Sequence, residues 1–330
     1  MKAPRFWWRR DRGAAAHCLA PIGAIVGTIA ARRMASPPRV RLSIPVYCVG
    51  NPTVGGAGKT PIALAIAKVL AEAGAMPVFL TRGYGGSLKG PVTVGEHTAS
   101  EVGDEALILA ETAPTVVARD RGKGGVLAET LGTAVIMDDG FQNPALAKDW
   151  SALVVDAVVG LGNALVTPAG PMRAPLAAHL PQADALLFVG GVPDDQIATS
   201  LPLHPVTVRQ SIDPALKGAA VLAFAGIGRP EKFFAGLETE GVLVEEKVAF
   251  ADHHPFTEGD AKALLAAANG RPVLTTAKDA VRLRGLDGAR GELAARLTVI
   301  PVTAELDEAL EASIRRVYEG SAPSPPEFVA

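Results

Sequence analysis

A glycine-rich stretch carries the residues best suited to phosphate chemistry. Glycines allow several backbone N–H groups to converge on one anion, and a following helix adds partial positive charge. In such a loop the lysine reaches the terminal phosphates and the hydroxyl of the next residue binds Mg²⁺. We therefore expect a nucleotide site, with ATP and Mg²⁺, at the following residues: Thr53, Val54, Gly55, Gly56, Ala57, Gly58, Lys59 and Thr60.

The sequence around this stretch predicts a strand before it and a helix after it. Residues 44–49 form a short apolar run that is typical of a strand, and residues 61–74 place apolar side chains at helical spacing. The strict phosphate-loop pattern has glycine at the position of Thr53, so this chain departs from it. Glycines that only form a tight turn are the alternative interpretation.

Two adjacent carboxylates follow another predicted strand. Residues 133–137 are mostly apolar, and Asp138 and Asp139 come directly after that run. A carboxylate in this position can hold Mg²⁺ beside Thr60, directly or through water. A simple turn would also explain Asp-Asp-Gly, but the phosphate loop favours the metal interpretation.

The wider chain alternates strand and helix patterns, and polar residues follow the carboxyl ends of the predicted strands. Open α/β sheets bind ligands at that edge. The composition is 48% hydrophobic and 5% aromatic, which suits buried parallel strands. We predict an α/β fold of the P-loop NTPase type, with a mostly parallel sheet and helices on both faces.

Charge and cysteine content exclude some classes of protein. The net charge of −2 gives no general reason to expect nucleic-acid binding. Cys18 and Cys48 are far apart and make no metal-binding pattern. We expect both to be small buried side chains, because no disulfide framework is indicated.

Residues 1–34 form an unusual N-terminal segment. Trp7 and neighbouring arginines precede residues 14–31, which contain no Asp, Glu, Lys or Arg and one histidine, His17. This run is close to the minimum length of a transmembrane span, but Pro21 interrupts it and alanine is only weakly hydrophobic. We favour a helix at the membrane surface over a span, and an ordinary helix packed on the protein stays an alternative. A signal peptide is disfavoured, since no convincing cleavage site follows.

The sequence divides into three predicted parts. They are a membrane-associated helix at 1–34, a P-loop domain at 35–208 and a smaller α/β domain at 209–330. A hinge is predicted near residues 205–215, and the proline-rich tail after residue 321 is predicted to be disordered.

Several short motifs, in order over nearly the whole chain, resemble those of the tetraacyldisaccharide 4′-kinases of lipid A biosynthesis. Each motif is weak alone, whereas the ordered set is specific, and the family shares the departure at Thr53. The motifs are residues 49–61, Thr81-Arg82-Gly83-Tyr84-Gly85, Gly103-Asp104-Glu105, Asp138-Asp139-Gly140-Phe141-Gln142, and residues 168–173, 224–228, 250–254 and 276–279.

The resemblance implies ATP-dependent phosphorylation of the 4′-hydroxyl of a tetraacylated glucosamine disaccharide 1-phosphate, the lipid A precursor. It also implies monotopic or peripheral association with the cytoplasmic face of the bacterial inner membrane. Asp104 is then the base for the sugar hydroxyl and His253 supports it, so the site would lie between the two domains. Compensation of helix charge by Asp104 and a surface role for His253 are the alternatives.

An anionic lipid substrate calls for cations along its path. Arg121 is also among the candidate arginines. The candidate substrate contacts are Glu105, Arg82, Arg119, Arg173 and Gln142.

The rival function is a membrane-attached ATPase of the partitioning type. Such ATPases carry a lysine directly before the glycine pair, and this chain has Val54 at that position.

Overall fold

A computed structural model describes residues 3–191, 197 and 199–321. Its strands are β1 Val46–Gly50, β2 Pro77–Thr81, β3 Val92–Thr93, β4 Thr115–Val117, β5 Ala134–Asp138, β6 Trp150–Asp156, β7 Ala185–Val189, β8 Leu203–Gln210, β9 Ala220–Ala225, β10 Leu243–Ala249, β11 Val273–Thr276, β12 Leu297–Ile300 and β13 Val302–Glu305. Its α-helices are α1 Ala14–Met34, α2 Lys59–Glu72, α3 Ala99–Val102, α4 Asp104–Ala110, α5 Arg121–Glu129, α6 Leu176–His179, α7 Pro230–Thr239, α8 Glu258–Ala268, α9 Ala277–Leu283, α10 Gly288–Arg296 and α11 Glu308–Ser321. The tail after residue 321, predicted to be disordered, lies outside the described residues.

The larger of two sheets has nine strands in the order β13-β8-β7-β6-β1-β5-β2-β4-β3. All neighbours are parallel except the β3–β4 and β8–β13 pairs. Strand β1, which leads into the phosphate loop, lies between β5 and β6, so the Asp138 end of β5 is next to the loop. The central strands are apolar on both faces and are fully buried, as parallel strands require.

Helices cover both faces of this sheet. On one face, α2 packs through apolar residues at helical spacing, Ile62, Ile66 and Leu70, beside Leu310 and Ile314 of α11. On the other face, Ala128 of α5 and residues from the segment after β6 form a second cluster with the strands. The predicted α/β fold with helices on both faces of a mostly parallel sheet is confirmed.

The smaller sheet contains four parallel strands in the order β10-β9-β11-β12. Helix α7 packs on one face through Phe233, Phe234 and Leu237. Helices α8, α9 and α10 pack on the other face, where Leu264, Leu283 and Leu293 are buried. This sheet contains only strands between residues 220 and 300.

The end of the chain returns to the large sheet, which differs from the predicted unit 209–330. Strand β13 pairs with β8, and α11 packs against α2. The buried Tyr47 hydroxyl donates a hydrogen bond to the Ile314 carbonyl at 3.0 Å. Strand β8 also runs to Gln210, across the predicted boundary, because its antiparallel pairing with β13 extends it.

Helix α1 packs on the protein with one face and leaves another open. Gly23 and Gly27 are buried against the segment around Val166 and Pro175, where an added Cβ at Gly23 would lie 2.6 Å from the Val166 carbonyl oxygen. The opposite face exposes large apolar side chains, with Ile25 64% exposed. Length and composition would allow α1 to cross a membrane. The large apolar side chains on this open face are Ile22, Ile25, Val26 and Ile29.

The two cysteines differ in their surroundings. Cys48 is buried in β1, and burial raises the pKa of its thiol to about 11. Cys18 is exposed on α1, so the expectation that both are buried was wrong for this residue. Its position on the outer side of α1 exposes it, which the apolar character of the run did not indicate.

We expect Gly50→Ala to destabilise the protein, since an added Cβ would lie 2.4 Å from the Cβ of the buried Phe141. Overpacking of this kind costs about 1–3 kcal/mol in the free energy of unfolding, measurable by urea denaturation. Gly95→Ala is the matched control, because no atom lies within 4 Å of its added Cβ. Equal stability of the two variants would contradict this packing.

Candidate active site

The phosphate loop lies between the carboxyl end of β1 and the start of α2, as predicted. Gly55 and Gly58 have φ angles of 111° and 80°, a region that residues with side chains rarely adopt. Gly58 directly precedes α2, so the loop leads into the positive end of that helix. Thr53, Val54, Gly56 and Ala57 belong to the loop, and Lys59 and Thr60 are the first two residues of α2.

Asn51 holds the loop and its lysine together. Its amide nitrogen donates hydrogen bonds to the carbonyls of Thr53 at 2.6 Å and Gly55 at 3.2 Å, while its side-chain oxygen accepts one from Lys59 Nζ at 3.1 Å. Burial lowers the pKa of Lys59, although the nearby Asp139 opposes this effect. Asn51 was assigned no role from the sequence, although its position directly after a buried strand was a usable signal.

Asp138 and Thr60 form the part of the site that fits Mg²⁺. Thr60 Oγ1 donates a hydrogen bond to Asp138 Oδ2 at 3.0 Å, whereas the buried Asp138 Oδ1 has no protein partner among the described residues. Burial raises the pKa of Asp138 to about 6, and the charges of Asp139 and Glu105 add to this rise. A bound cation would balance the negative charge of this buried carboxylate. Carboxylate and hydroxyl oxygens are ligands that Mg²⁺ prefers.

Asp139 is held by Arg173 instead of being free. Two parallel hydrogen bonds join them, from Nη1 to Oδ1 at 2.8 Å and from Nη2 to Oδ2 at 3.1 Å. Burial would raise the pKa of Asp139, but Lys59 and Arg173 hold it below its ordinary value. The Nε of Arg173 also donates to the Thr53 carbonyl at 3.1 Å, so this arginine ties the carboxylate to the phosphate loop.

Gln142 belongs to a chain of hydrogen bonds beneath the phosphate loop. Its amide nitrogen donates to the Asn51 carbonyl at 2.9 Å and to His179 Nε2 at 3.1 Å. His179 Nδ1 donates to the Pro175 carbonyl at 3.1 Å, which leaves Nε2 as the acceptor. Burial lowers the pKa of His179 to about 4. No pattern in the sequence marked this histidine.

Asp104 and His253 meet between the two sheets, as the resemblance implied. His253 Nδ1 is 2.9 Å from Asp104 Oδ2, although 149 residues separate them in the chain. Asp104 is the first residue of α4, because Gly103, with φ 88°, ends α3 and separates the two helices. An added Cβ on Gly103 would lie 2.3 Å from the Tyr84 carbonyl oxygen, so the close approach needs glycine.

Helix α9 supplies two cations to the first turn of α4. Lys278 Nζ contacts Glu105 Oε1, while Arg282 donates to Asp104 Oδ2. Glu105 Oε2 is buried without a protein partner among the described residues. Neither cation was assigned a role from sequence, although Lys278 lies in one of the motifs that carry the family resemblance.

Arg82 and Arg119 line an open pocket of about 220 Å³ beside the Asp104–His253 pair. Both are exposed, and the ring of Tyr84 in the same pocket lies 5.8 Å from the ring of His253. Arg121, in contrast, is buried and contacts the Ala118 carbonyl, so it does not reach this pocket surface.

The small sheet also contacts the phosphate loop. Arg229, directly before α7, donates hydrogen bonds to the Gly56 carbonyl at 3.2 Å and to Asp156 Oδ2 at 2.5 Å. Asp156 is buried at the end of β6 and also lies 3.5 Å from Lys232 Nζ. The sequence did not indicate this contact, which pairs residues 73 positions apart.

The described residues contain no group of three or more His, Cys, Asp or Glu that could hold a metal alone. A single carboxylate and a hydroxyl, completed by phosphate and water, are nevertheless a common Mg²⁺ environment. The arrangement thus combines a phosphate loop, a carboxylate and hydroxyl suited to a metal ion, and a carboxylate–histidine pair.

Comparison with known proteins decides the family. The family model described as tetraacyldisaccharide-1-P 4′-kinase matches residues 15–319. The chain belongs to this family. A tetraacyldisaccharide 4′-kinase of Methylobacterium nodulans is 48% identical over 99% of this chain and 98% of its own length. That of Xanthobacter autotrophicus is 50% identical over 96% and 97%.

A solved structure of the same family agrees with the fold. The crystal structure of LpxK from Aquifex aeolicus in complex with ATP is 27% identical, with a TM-score of 0.75 over 92% of this chain and 99% of that one. The predicted membership, the α/β fold and the lipid A 4′-kinase function are therefore confirmed, and the partitioning-type ATPase is set aside.

We expect His179 to make the kinase sensitive to acid. Burial lowers the pKa of His179 in the folded protein to about 4, below its ordinary value of 6.5. Between these two pH values only the unfolded state binds the proton, so the protein loses stability as the pH is lowered. Between pH 7.5 and 5 the loss is about 2 kcal/mol in the free energy of unfolding. His179→Gln, which cannot be protonated, should lose less stability than wild type in urea denaturation at the two pH values. The same loss in both proteins would contradict the assignment.

Proposed function

We propose that this enzyme transfers the γ-phosphate of ATP to the 4′-hydroxyl of a tetraacylated glucosamine disaccharide 1-phosphate, with Asp104 as the base. The observation that carries the proposal is the 2.9 Å contact between Asp104 and His253, which joins residues from the two sheets. Glu105, adjacent to Asp104, is close enough to Asp138 for its charge to help raise the pKa of that buried carboxyl. The first turn of α4, which carries Asp104, is thus within electrostatic reach of Asp138.

On the donor side, the loop amides and Lys59 bind the phosphates of ATP. Thr60 and Asp138 would hold Mg²⁺, which neutralises charge on the phosphates when bound. The orphaned Oδ1 of Asp138 supports this assignment. Asp139 is engaged by Arg173, so we assign these two residues to shaping the loop and not to contacting the lipid.

On the acceptor side, Asp104 takes the proton of the sugar hydroxyl as its oxygen bonds to the γ-phosphorus, while the bond from that phosphorus to the β–γ bridging oxygen breaks and ADP leaves. His253 Nδ1–H donates to Asp104 and orients it, while Nε2 lies 3.8 Å from Asp252. His253 comes from the loop after β10 and Asp104 from α4, so the base is complete only when the two sheets are together.

Arg82 and Arg119 are the cations that we assign to the lipid substrate. They are exposed in the pocket that also contains Tyr84, whose ring lies beside His253. Guanidinium groups suit phosphate oxygens, and an aromatic ring suits the face of a sugar. Gln142 and Glu105 are occupied by Asn51, His179 and Lys278, so we place them behind the substrate and not against it.

The exposed apolar face of α1 supports association with the membrane surface that holds the lipid. Trp7 fixes the start of this segment, since its Nε1 donates to the Pro168 carbonyl at 3.0 Å. A helix that packs on the enzyme with one face can insert the other into the acyl region. We therefore propose monotopic or peripheral attachment at the cytoplasmic face of the inner membrane, where ATP is available.

The kinase proposal is tested by transfer of labelled γ-phosphate from ATP to the tetraacyl disaccharide 1-phosphate in detergent micelles. Asp104→Asn should lower kcat by about 10³-fold with ATP binding retained, because the base is lost. His253→Gln should lower kcat less, by about 10–10²-fold. His254→Gln is the matched control, since His254 pairs with Asp260 2.9 Å away and stacks on Phe250.

Three results would overturn parts of this proposal. ATP hydrolysis without phosphorylated lipid would contradict the substrate, and full activity of Asp104→Asn would remove it as the base. Phosphate transfer that is unchanged when EDTA removes divalent cations would contradict the metal role of Thr60 and Asp138.

We expect the double change Ile25→Asp and Ile29→Asp to weaken membrane binding at least about tenfold, because each isoleucine loses apolar burial and gains a charge. Flotation with phosphatidylethanolamine–phosphatidylglycerol vesicles measures this. Met76→Asp is the control, as Met76 is 60% exposed but lies outside α1. Equal flotation of all three proteins would show that this face does not bind lipid.

A further inference from the structure

Arg282 makes an unusually directed contact with the proposed base. Its Nε and Nη2 donate to the same oxygen, Asp104 Oδ2, at 2.9 and 2.6 Å. Both side chains are almost fully buried, with 5% and 8% of their surface exposed. A guanidinium that directs two N–H groups at one carboxylate oxygen fixes that oxygen in both distance and direction.

Arg282 is itself fixed from its far side. Its Nη1 donates to Asp279 Oδ1 at 2.9 Å and to the Gly226 carbonyl at 2.8 Å. Asp279 is fully buried and is held in turn by the Gly226 N–H at 3.0 Å and the Thr276 hydroxyl at 2.6 Å. The guanidinium therefore cannot turn without breaking contacts to the small sheet.

The contacts to Asp104 divide its two oxygens into different roles. Oδ2 accepts from Arg282 twice and from His253 Nδ1, whereas no hydrogen bond to Oδ1 is made within the described part of the chain. Because Oδ1 has no hydrogen-bond partner there and is not a buried atom, solvent or substrate can reach it. The carboxylate thus presents one oxygen outward.

We propose that Arg282 is a positioning residue for phosphoryl transfer: it anchors Oδ2 of Asp104 and thereby presents Oδ1 to the acceptor hydroxyl. The proposal rests on the proposed role of Asp104 as the base. Arg282 touches neither substrate in this assignment and acts only through Asp104. A small error in the orientation of a base costs a large factor in rate, about 10²-fold for a displacement of 1 Å.

The chemistry of arginine explains why this position needs it. A guanidinium has five N–H donors in a rigid plane, so it can bind Asp104 and Asp279 at the same time. The ammonium of a lysine is a single point charge on a flexible stem and cannot span both carboxylates in that plane. Lysine at position 282 should therefore keep the charge but lose the orientation.

The first test is the kinase assay on Arg282→Gln and Arg282→Lys. We expect kcat to fall about 10²-fold and about 10-fold respectively, with KM for ATP and for the lipid within about twofold of wild type. Arg284→Gln is the matched control. Arg284 follows α9, is exposed, and contacts Glu111, which lies at the end of α4 that is remote from Asp104. It should keep wild-type kcat.

Removing Arg282 leaves Asp279 buried without its cation, which can destabilise the fold. The double variant Asp279→Asn, Arg282→Gln removes both charges and keeps polar side chains of similar size. We expect its melting temperature to be close to that of wild type while kcat stays about 10²-fold low. A double variant that recovers both stability and kcat would show that Arg282 serves only folding.

The decisive measurement combines Arg282→Gln with Asp104→Asn. If Arg282 acts through Asp104, the pair should be no slower than Asp104→Asn alone, since residues that act as a unit are not additive. A further loss of about 10²-fold in the pair would overturn the proposal. Full activity of Asp104→Asn would instead contradict the proposed base, whereas an inactive Asp104→Asn with a fully active Arg282→Gln would contradict only the positioning role.

Discussion

The arrangement of this enzyme depends on the cost of gathering carboxylates in one buried place. Asp139 beside it and Glu105 at the start of α4 both raise the pKa of Asp138 at the end of β5, and Asp138, Asp104 and Glu105 all act on Lys278. Unpaired buried charges cost several kcal/mol each, so cations must accompany them. Lys59 and Arg173 come from elements packed with the large sheet, and helix α9 of the small sheet supplies two further cations. The carboxylates of α4 therefore make the docking of the small sheet an electrostatic requirement. The two cations from α9 are Lys278 and Arg282.

Much of the donor side could be predicted from the sequence because its signals are local. A strand, a glycine-rich loop and a helix follow each other directly in the chain, and Asp138 ends a strand that pairs with β1. The acceptor side is different, since Asp104 and His253 are 149 residues apart and only the family resemblance joined them. Arg282 was not predicted because nothing in the local sequence distinguishes it from Arg284, which lies in the turn after α9.

Long-range pairing also explains what was missed in the fold. Strands β7 and β8 were not predicted, since a short apolar run such as β7 cannot be told from a buried helix by periodicity. Strand β13 pairs antiparallel with β8, which lies far earlier in the chain, and this pairing returns the chain end to the large sheet. The predicted boundary at residue 209 separated two consecutive stretches of the chain. In the structure, the last stretch of the chain belongs to the large sheet. Cys18 shows the same limit, because an apolar run does not specify which of its faces is covered.

The small sheet contacts both halves of the reaction site. Arg229 donates to the carbonyl of Gly56 in the phosphate loop, while His253 and Arg282 hold Asp104, which we propose as the base. These residues project from the carboxyl ends of neighbouring parallel strands or from the helices that follow them, so they move as one group with the sheet. Any displacement of the small sheet consequently changes the phosphate loop and the base together. The same sheet thus links the loop that binds the nucleotide to the carboxylate that we propose as the base, with no further element between them.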